Sequence, residues 1–249
     1  MDPTVPRSHG KFHKGIGYYE FLSQIHQVCK PCSYLEIGVG TGATLGLAEC
    51  RAVAIDPKFQ FRGNPFRGRA ETHLFQMTSD EFFARHELAN FLPDGIGFAF
   101  LDGLHHFEYL LRDFVNTERY SRTEAVVALH DCCPNNTEMA KREPARRTDI
   151  VTRQWWTGDV WKLLPILRDF RPDLEVSVLD CSPTGLVLVR GLDPGSKTLL
   201  RSYDEIIAIY ADIDLVDFGI KRLRNEFSTI DSRSVFEPDA LKKFLARRS

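Results

Sequence analysis

Hydrophobic and polar positions follow two rhythms along this 249-residue chain. Short, mostly apolar runs stop abruptly at a glycine or a polar residue: Tyr34–Ile37, Ala52–Ile55, Thr72–Met77, Ile96–Leu101, Ala125–Leu129, Leu174–Leu179 and Leu186–Val189. Runs this short, without helical spacing, read as strands, and the unbroken ones as strands buried on both faces. Between them lie segments with apolar residues three and four apart. Tyr18–Val28 carries Tyr19, Phe21, Leu22, Ile25 and Val28 in this way, and Asp159–Phe170 carries Val160, Leu163, Leu164 and Leu167. Leu110–Tyr120 and Tyr203–Tyr210 have the same helical character, Ala43–Ala48 offers a helix start, and a further helix is expected from Glu81, capped by Ser79 or Asp80. Strands alternating with helices predict an α/β fold: a mostly parallel, Rossmann-like sheet of seven strands with helices on both faces. The last two strands, split by Ser182-Pro183-Thr184-Gly185, read as an antiparallel hairpin closing the sheet edge.

The most informative stretch is the first strand and the turn after it, Tyr34-Leu35-Glu36-Ile37-Gly38-Val39-Gly40-Thr41-Gly42. Alternating glycines at a strand end allow positive φ and let a ligand approach the main chain. An acid, Glu36, precedes them, and the second strand ends in Asp56, 20 positions after Glu36. An acid at that tip can accept both hydroxyls of a ribose. The spacing is G-x-G-x-G rather than the longer pattern that opens a helix onto a pyrophosphate. It resembles the first motif of class I S-adenosylmethionine (AdoMet) methyltransferases. The resemblance implies that Glu36 reaches the methionine amino group, that Gly38, Gly40 and Gly42 floor the pocket, and that Asp56 holds the ribose. Ser79 and Asp80, after the third strand, would lie beside the adenine.

Composition narrows the field. Charged residues are 27% of the chain and the formal net charge is -2, which fits a soluble globular protein and gives nucleic acid little to bind. The N-terminus lacks the apolar core of a signal peptide, and no apolar run reaches membrane length, so a cytoplasmic protein that avoids membranes is expected. Of six cysteines, Cys29 and Cys32 form a C-x-x-C with no second pair at zinc-finger spacing, and ordinary reduced thiols are expected. Residues 1–28 are read as an arm and a helix, 29–192 as the AdoMet-binding domain, and 193–249 as a helical extension; a homo-oligomer is compatible with this layout. Within the domain, 134–158 is polar and closes on Trp155-Trp156, which suggests a cover over the site.

Two further strand ends carry chemistry: Asp102 with His105 after the fourth, and His130-Asp131 after the fifth. If these strands are neighbours, the two aspartates stand ~5 Å apart at the backbone. Carboxylates that close need a proton or a cation between them. A divalent ion such as magnesium, held by Asp102 and Asp131, would bind an acceptor hydroxyl and lower its pKa. Without an ion, His105 or His130 would serve as general base. The run Asp102-Gly103-Leu104-His105-His106-Phe107-Glu108 resembles the methyltransferase family that includes macrolide and aminocoumarin sugar O-methyltransferases and cephalosporin-hydroxylase-like proteins. That resemblance implies O-methylation of a small molecule, with Asp102, His105, His130 and Asp131 as the catalytic group. The chain departs from the sugar enzymes in having His130-Asp131 where they carry adjacent aspartates. The competing readings are a hydroxylase on the same scaffold, with His105, His130 and Asp102 as an iron triad, and a non-catalytic AdoMet-binding protein.

Overall fold

A computed structural model describes residues 13–66, 68, 71–144 and 155–246. The first strands are β1 (Ser33–Ile37), β2 (Arg51–Ile55), β3 (Thr72–Phe75) and β4 (Ile96–Leu101). β5 (Ser121–His130), β6 (Glu175–Leu179) and β7 (Leu186–Arg190) complete a seven-stranded sheet in the order β3-β2-β1-β4-β5-β7-β6. β1 to β5 run parallel, while β7 lies antiparallel to both β5 and β6. The expected hairpin is thus present, with β7 tucked inside and β6 at the edge.

Alternate residues of each central strand feed two separate cores, which is why these runs are apolar throughout. Leu35, Ile37, Val53, Ala99, Leu101, Val127 and Leu129 face one side. There they meet α2 (Ser79–Arg85), α3 (Phe107–Arg119) and α4 (Leu163–Phe170) through Phe82, Leu111, Phe114 and Leu167. Tyr34, Ala54, Phe98, Phe100 and Ala128 face the other side, against Phe21, Leu22 and Ile25 of α1 (Tyr18–Cys29).

The C-terminal residues complete both cores. Leu199, Ile206, Tyr210, Leu215 and Leu223 join the first, and Leu241 joins the second from the last helix, Pro238–Leu245. Ile230 also pairs its backbone with the edge strand, its N–H donating to Val178 O at 2.8 Å and its carbonyl accepting from Asp180 N at 3.0 Å. The chain before α1 is laced to the turn between β6 and β7: Tyr18 N donates to Ser182 O at 3.0 Å, and Ser182 N to Ile16 O at 3.1 Å. The start of α1 is thereby fixed above the ends of β4 and β5.

Three local expectations are corrected. No α-helix follows the glycine turn; only a single 3-10 turn, Leu45–Leu47, forms before β2. β2 begins at Arg51, and Gly46 sits in the middle of the short connection, so there is neither length nor propensity for more. The cap of α2 is Thr78 rather than Ser79 or Asp80: its hydroxyl accepts from Glu81 N, and Glu81 reciprocates to the Thr78 N–H, a complete capping box. β5 begins at Ser121, earlier than its apolar run, with a register shift against β4 between Ile96 and Phe98.

Packing leaves no room for a side chain at Gly38. With φ of 84°, an added β-carbon would lie 2.0 Å from the carbonyl oxygen of Asp102. Gly38→Ala combines left-handed strain with a clash against backbone. It is expected to lower stability by about 3 kcal/mol or more, read as a fall in thermal midpoint.

Candidate functional site

Above the carboxyl ends of the parallel strands lies a cavity of about 580 Å³. Its floor is the turn after β1, including Gly38, Val39, Gly40 and Thr41. Gly38, Gly40 and Gly42 all have positive φ, so the turn needs its glycines; Gly42 is not part of the lining and instead packs toward Phe61. Asp56 holds this turn in place. Its Oδ2 accepts from Val39 N at 2.7 Å and Gly40 N at 2.8 Å, and its Oδ1 accepts from Lys58 N at 2.6 Å. The side chain also lines the cavity. It can therefore meet a ligand only with lone pairs that the turn leaves over.

Glu36 is not among the residues that line the cavity. Fully buried on the α1 side of β1, it accepts from Tyr34 OH at 2.7 Å and from Thr44 Oγ1 at 2.6 Å. Its visible effect is to fix Thr44, which does line the cavity.

Asp102, His105, His130 and Asp131 do come together. β4 and β5 are parallel neighbours with Leu101 beside Leu129, so Asp102 and His130 follow side by side. His130 Nδ1 lies 3.1 Å from Asp102 Oδ1 and 3.4 Å from Asp131 Oδ1. His105 Nε2 lies 3.3 Å from Asp131 Oδ2 and 3.6 Å from Asp102 Oδ1. Asp131 leaves the strand at φ of 61°, a left-handed conformation uncommon outside glycine, and its Oδ1 accepts from Thr184 Oγ1 at 2.5 Å. That backbone turn lets Asp131 share the cluster with its own neighbour His130.

The electrostatics follow from two acids facing two imidazoles. Burial alone would lower the pKa of His105. The hydrogen bond to Asp102 and the charges of Asp131 and Asp102 outweigh it, and the pKa is pushed up to about 9. His130 is raised well above its ordinary value by the same two carboxylates, against the same burial. Burial would raise Asp102, but the charge of His130 and the bonds from both histidines hold it below the usual carboxylate range. Asp102, His105 and Asp131 each offer one ligand atom, all within 4.8 Å of one another. Two carboxylates and one imidazole make a donor set suited to a divalent cation.

His105 is held from above. Its Nδ1 lies 2.9 Å from Trp156 O, and the two rings stack with centroids 5.2 Å apart. Gly158 turns beneath it with no room for a β-carbon, and Asp159 N donates to His105 O at 3.2 Å. Trp156 thus covers the cluster while Trp155 is exposed. The middle of the expected cover, residues 145–154, lies outside the described residues, as do residues 1–12 of the expected arm. His106 points away, as its neighbour's position requires, with Nε2 at 3.2 Å from Arg142 O.

At the β3 end of the cavity the expected pair divides. Ser79 lines the cavity; Asp80 does not, because Arg112 takes both its oxygens at 2.8 and 2.7 Å. Tyr18 and Asp113 are among the lining residues that the sequence did not single out. Tyr18, the first residue of α1, packs against His130 at 4.1 Å between centroids, with the rings tilted by 41°. Burial, and then the charges of Asp102, Asp131 and Glu36, push its phenol up to about 12, so it stays a neutral donor. Asp113 stands in α3 beside the buried Leu110, Leu111 and Phe114. An acid on the apolar stripe of a helix was the available signal. The C-x-x-C gives no site: Cys29 and Cys32 are exposed free thiols.

Two outcomes follow for these acids. Asp56→Ala leaves three backbone N–H groups without their acceptor and is expected to destabilise the fold by about 2–3 kcal/mol, seen in denaturant unfolding. For Asp113, burial raises the pKa to about 7 from an unfolded value of 3.8. Between those limits the folded state binds more protons than the unfolded state, so this group's contribution to stability falls as pH rises through that window. Asp113→Asn should flatten the dependence of the unfolding free energy on pH from about 4 to 7.

A family model described as a methyltransferase domain matches residues 35–132, the segment from β1 to the end of β5. No curated protein matches the sequence. Among solved structures, an S-adenosylhomocysteine-bound methyltransferase from Podospora anserina aligns at 12% identity and a TM-score of 0.49, covering 71% of this chain and 78% of that one. An O-methyltransferase from Bacillus cereus, in complex with the same product, aligns at 13% identity and 0.45, covering 69% and 79%. An O-methyltransferase of tomaymycin synthesis from Streptomyces achromogenes, in complex with AdoMet, aligns at 15% and 0.44, covering 71% and 80%. Likeness of this degree carries no argument about substrate. The strand order, the antiparallel β7 and the domain match across β1 to β5 together give this chain the class I AdoMet-dependent methyltransferase fold.

Proposed function

We propose that the chain is an AdoMet-dependent methyltransferase that O-methylates a small hydroxylated molecule, of the kind represented by sugars and glycosylated metabolites. The observation that carries this reading is the position of Asp102. It lines the cavity floored by the glycine turn and at the same time belongs to the cluster with His105, His130 and Asp131. A cofactor bound in the cavity would bring its sulfonium methyl to the same carboxylate that meets the acceptor.

The chemistry asks little of the protein. The acceptor oxygen attacks the methyl carbon, the carbon–sulfur bond electrons return to sulfur, and S-adenosylhomocysteine leaves as the oxygen's proton passes to the Asp102 or Asp131 carboxylate and on to solvent. The glycine turn, pinned by Asp56, gives the cofactor a floor that does not rearrange. Asp102 and Asp131 supply negative charge where the acceptor's proton must go. His105, fixed by Trp156 and both carboxylates, orients that end of the site. Asp102, His105 and Asp131 would hold a divalent cation, such as magnesium, which polarises a bound hydroxyl and lowers its pKa. Trp156, stacked on His105, presents an aromatic wall for a ring-shaped acceptor, the arrangement sugar-like molecules favour.

Calorimetry should show binding of S-adenosylhomocysteine and none of NAD. Incubation with methyl-labelled AdoMet and small-metabolite extracts should yield a labelled product bearing the methyl on oxygen. Chelation should abolish that transfer while leaving S-adenosylhomocysteine binding within about threefold. Transfer that survives chelation would remove the cation and assign proton removal to the carboxylates of Asp102 and Asp131, since both imidazoles are held protonated; failure of S-adenosylhomocysteine to bind would sink the reading altogether.

A further inference from the structure

Asp113 is hard to account for as a core residue. It is 3% exposed, among leucines and a phenylalanine of α3. Ser79 gives it one side-chain hydrogen bond, but its Oδ1 has no partner among the described residues. The adjacent cation, Arg112, is committed to Asp80. A buried carboxyl oxygen without a donor costs roughly 1–3 kcal/mol, and such atoms call for an explanation. Hydrophobic side chains of similar size would fill this position without that cost.

The location supplies the explanation. Asp113 belongs to the cavity lining together with Thr78 and Ser79. Its Oδ2 lies against Gly103, 3.5 Å from where a β-carbon there would sit, which is ordinary contact distance. This end of the cavity is toward β3, whereas the cluster of Asp102 and Asp131 is toward β5. In AdoMet the sulfonium carries the transferable methyl, and the adenosyl group extends from the same sulfur. With the methyl at Asp102, the purine has to lie toward Ser79 and Asp113. The base has one strong donor on its outer edge, the exocyclic amino group.

We propose that Asp113 is a cofactor-specificity residue whose unpaired carboxyl oxygen accepts a hydrogen bond from the adenine amino group, with Ser79 fixing the carboxyl's orientation. The proposal rests on the AdoMet reading given above. It assigns to α3 a task that the sequence reading gave to Asp80, which the bond to Arg112 turns away. It also explains a hydrophilic residue on an otherwise apolar helix face: the site tolerates a poorly satisfied acid in the free protein because the ligand completes it.

The test compares S-adenosylhomocysteine with its 6-deamino analogue, in which purine replaces adenine, by calorimetry on the full chain. Native protein should bind the deamino compound at least tenfold more weakly. Asp113→Leu, which places one more leucine beside Leu110 and Leu111, should weaken S-adenosylhomocysteine by at least tenfold and bind both compounds alike. Asp113→Asn keeps an acceptor oxygen and should retain most of the discrimination. Asp113→Val replaces the leucine variant if the thermal melt shows that leucine overfills the space. Equal binding of the two compounds by native protein, or discrimination that persists in the leucine or valine variant, overturns the assignment while leaving the cofactor reading intact. No binding of either compound by native protein overturns both.

Discussion

The structure depends on a backbone turn held between two strand ends. After β1 the chain must reverse over the sheet within three glycines, and it does so against the carbonyl of Asp102 on one side and the carboxylate of Asp56 on the other. A side chain at Gly38 has no space, and the N–H groups of Val39 and Gly40 have no acceptor other than Asp56 among the described residues. Once that turn is set, the cavity floor, the position of Asp102 and the approach of α1 follow from strand order. Buried backbone donors that must be satisfied, in a space too small for a β-carbon, are what make this a site rather than a loop.

The second constraint is charge. Two carboxylates end adjacent strands within reach of each other, and the protein answers with two imidazoles whose pKa values rise in consequence. The arrangement keeps a compact, polar, partly covered group next to an apolar-walled cavity. Tyr18 from α1 and Trp156 from the segment after β5 press rings against the two histidines from opposite parts of the chain. Neither ring lies within residues 35–132, the segment matched as a methyltransferase domain.

Much of the fold was legible because a buried parallel sheet writes itself as apolar runs ending in polar residues. Ile96–Leu101 is the plainest example, since every one of its positions except Gly97 meets one core or the other. Asp102 and His130 were legible for the same reason: a polar residue directly after such a run has only one place to go. What sequence could not show was the use of each acid. Glu36 and Asp56 both flank the glycine turn, yet one is absorbed by Tyr34 and Thr44 and the other by backbone N–H groups. Asp80 and Asp113 are similarly indistinguishable by type; only packing reveals that Arg112 claims the first and that the second faces the cavity. The missing helix after the glycine turn is a matter of length, because β2 starts before a helix could propagate.

The central claim is that the cavity over the glycine turn and the Asp102–Asp131 cluster are two halves of one site, bridged by a single ligand. A crystal structure of the protein with S-adenosylhomocysteine measures this most directly. The account predicts the sulfur at the Asp102 end, the ribose above Gly38 and Gly40, and the purine against Ser79 and Asp113. A ligand bound in the reverse sense, or bound away from the glycine turn, would contradict it.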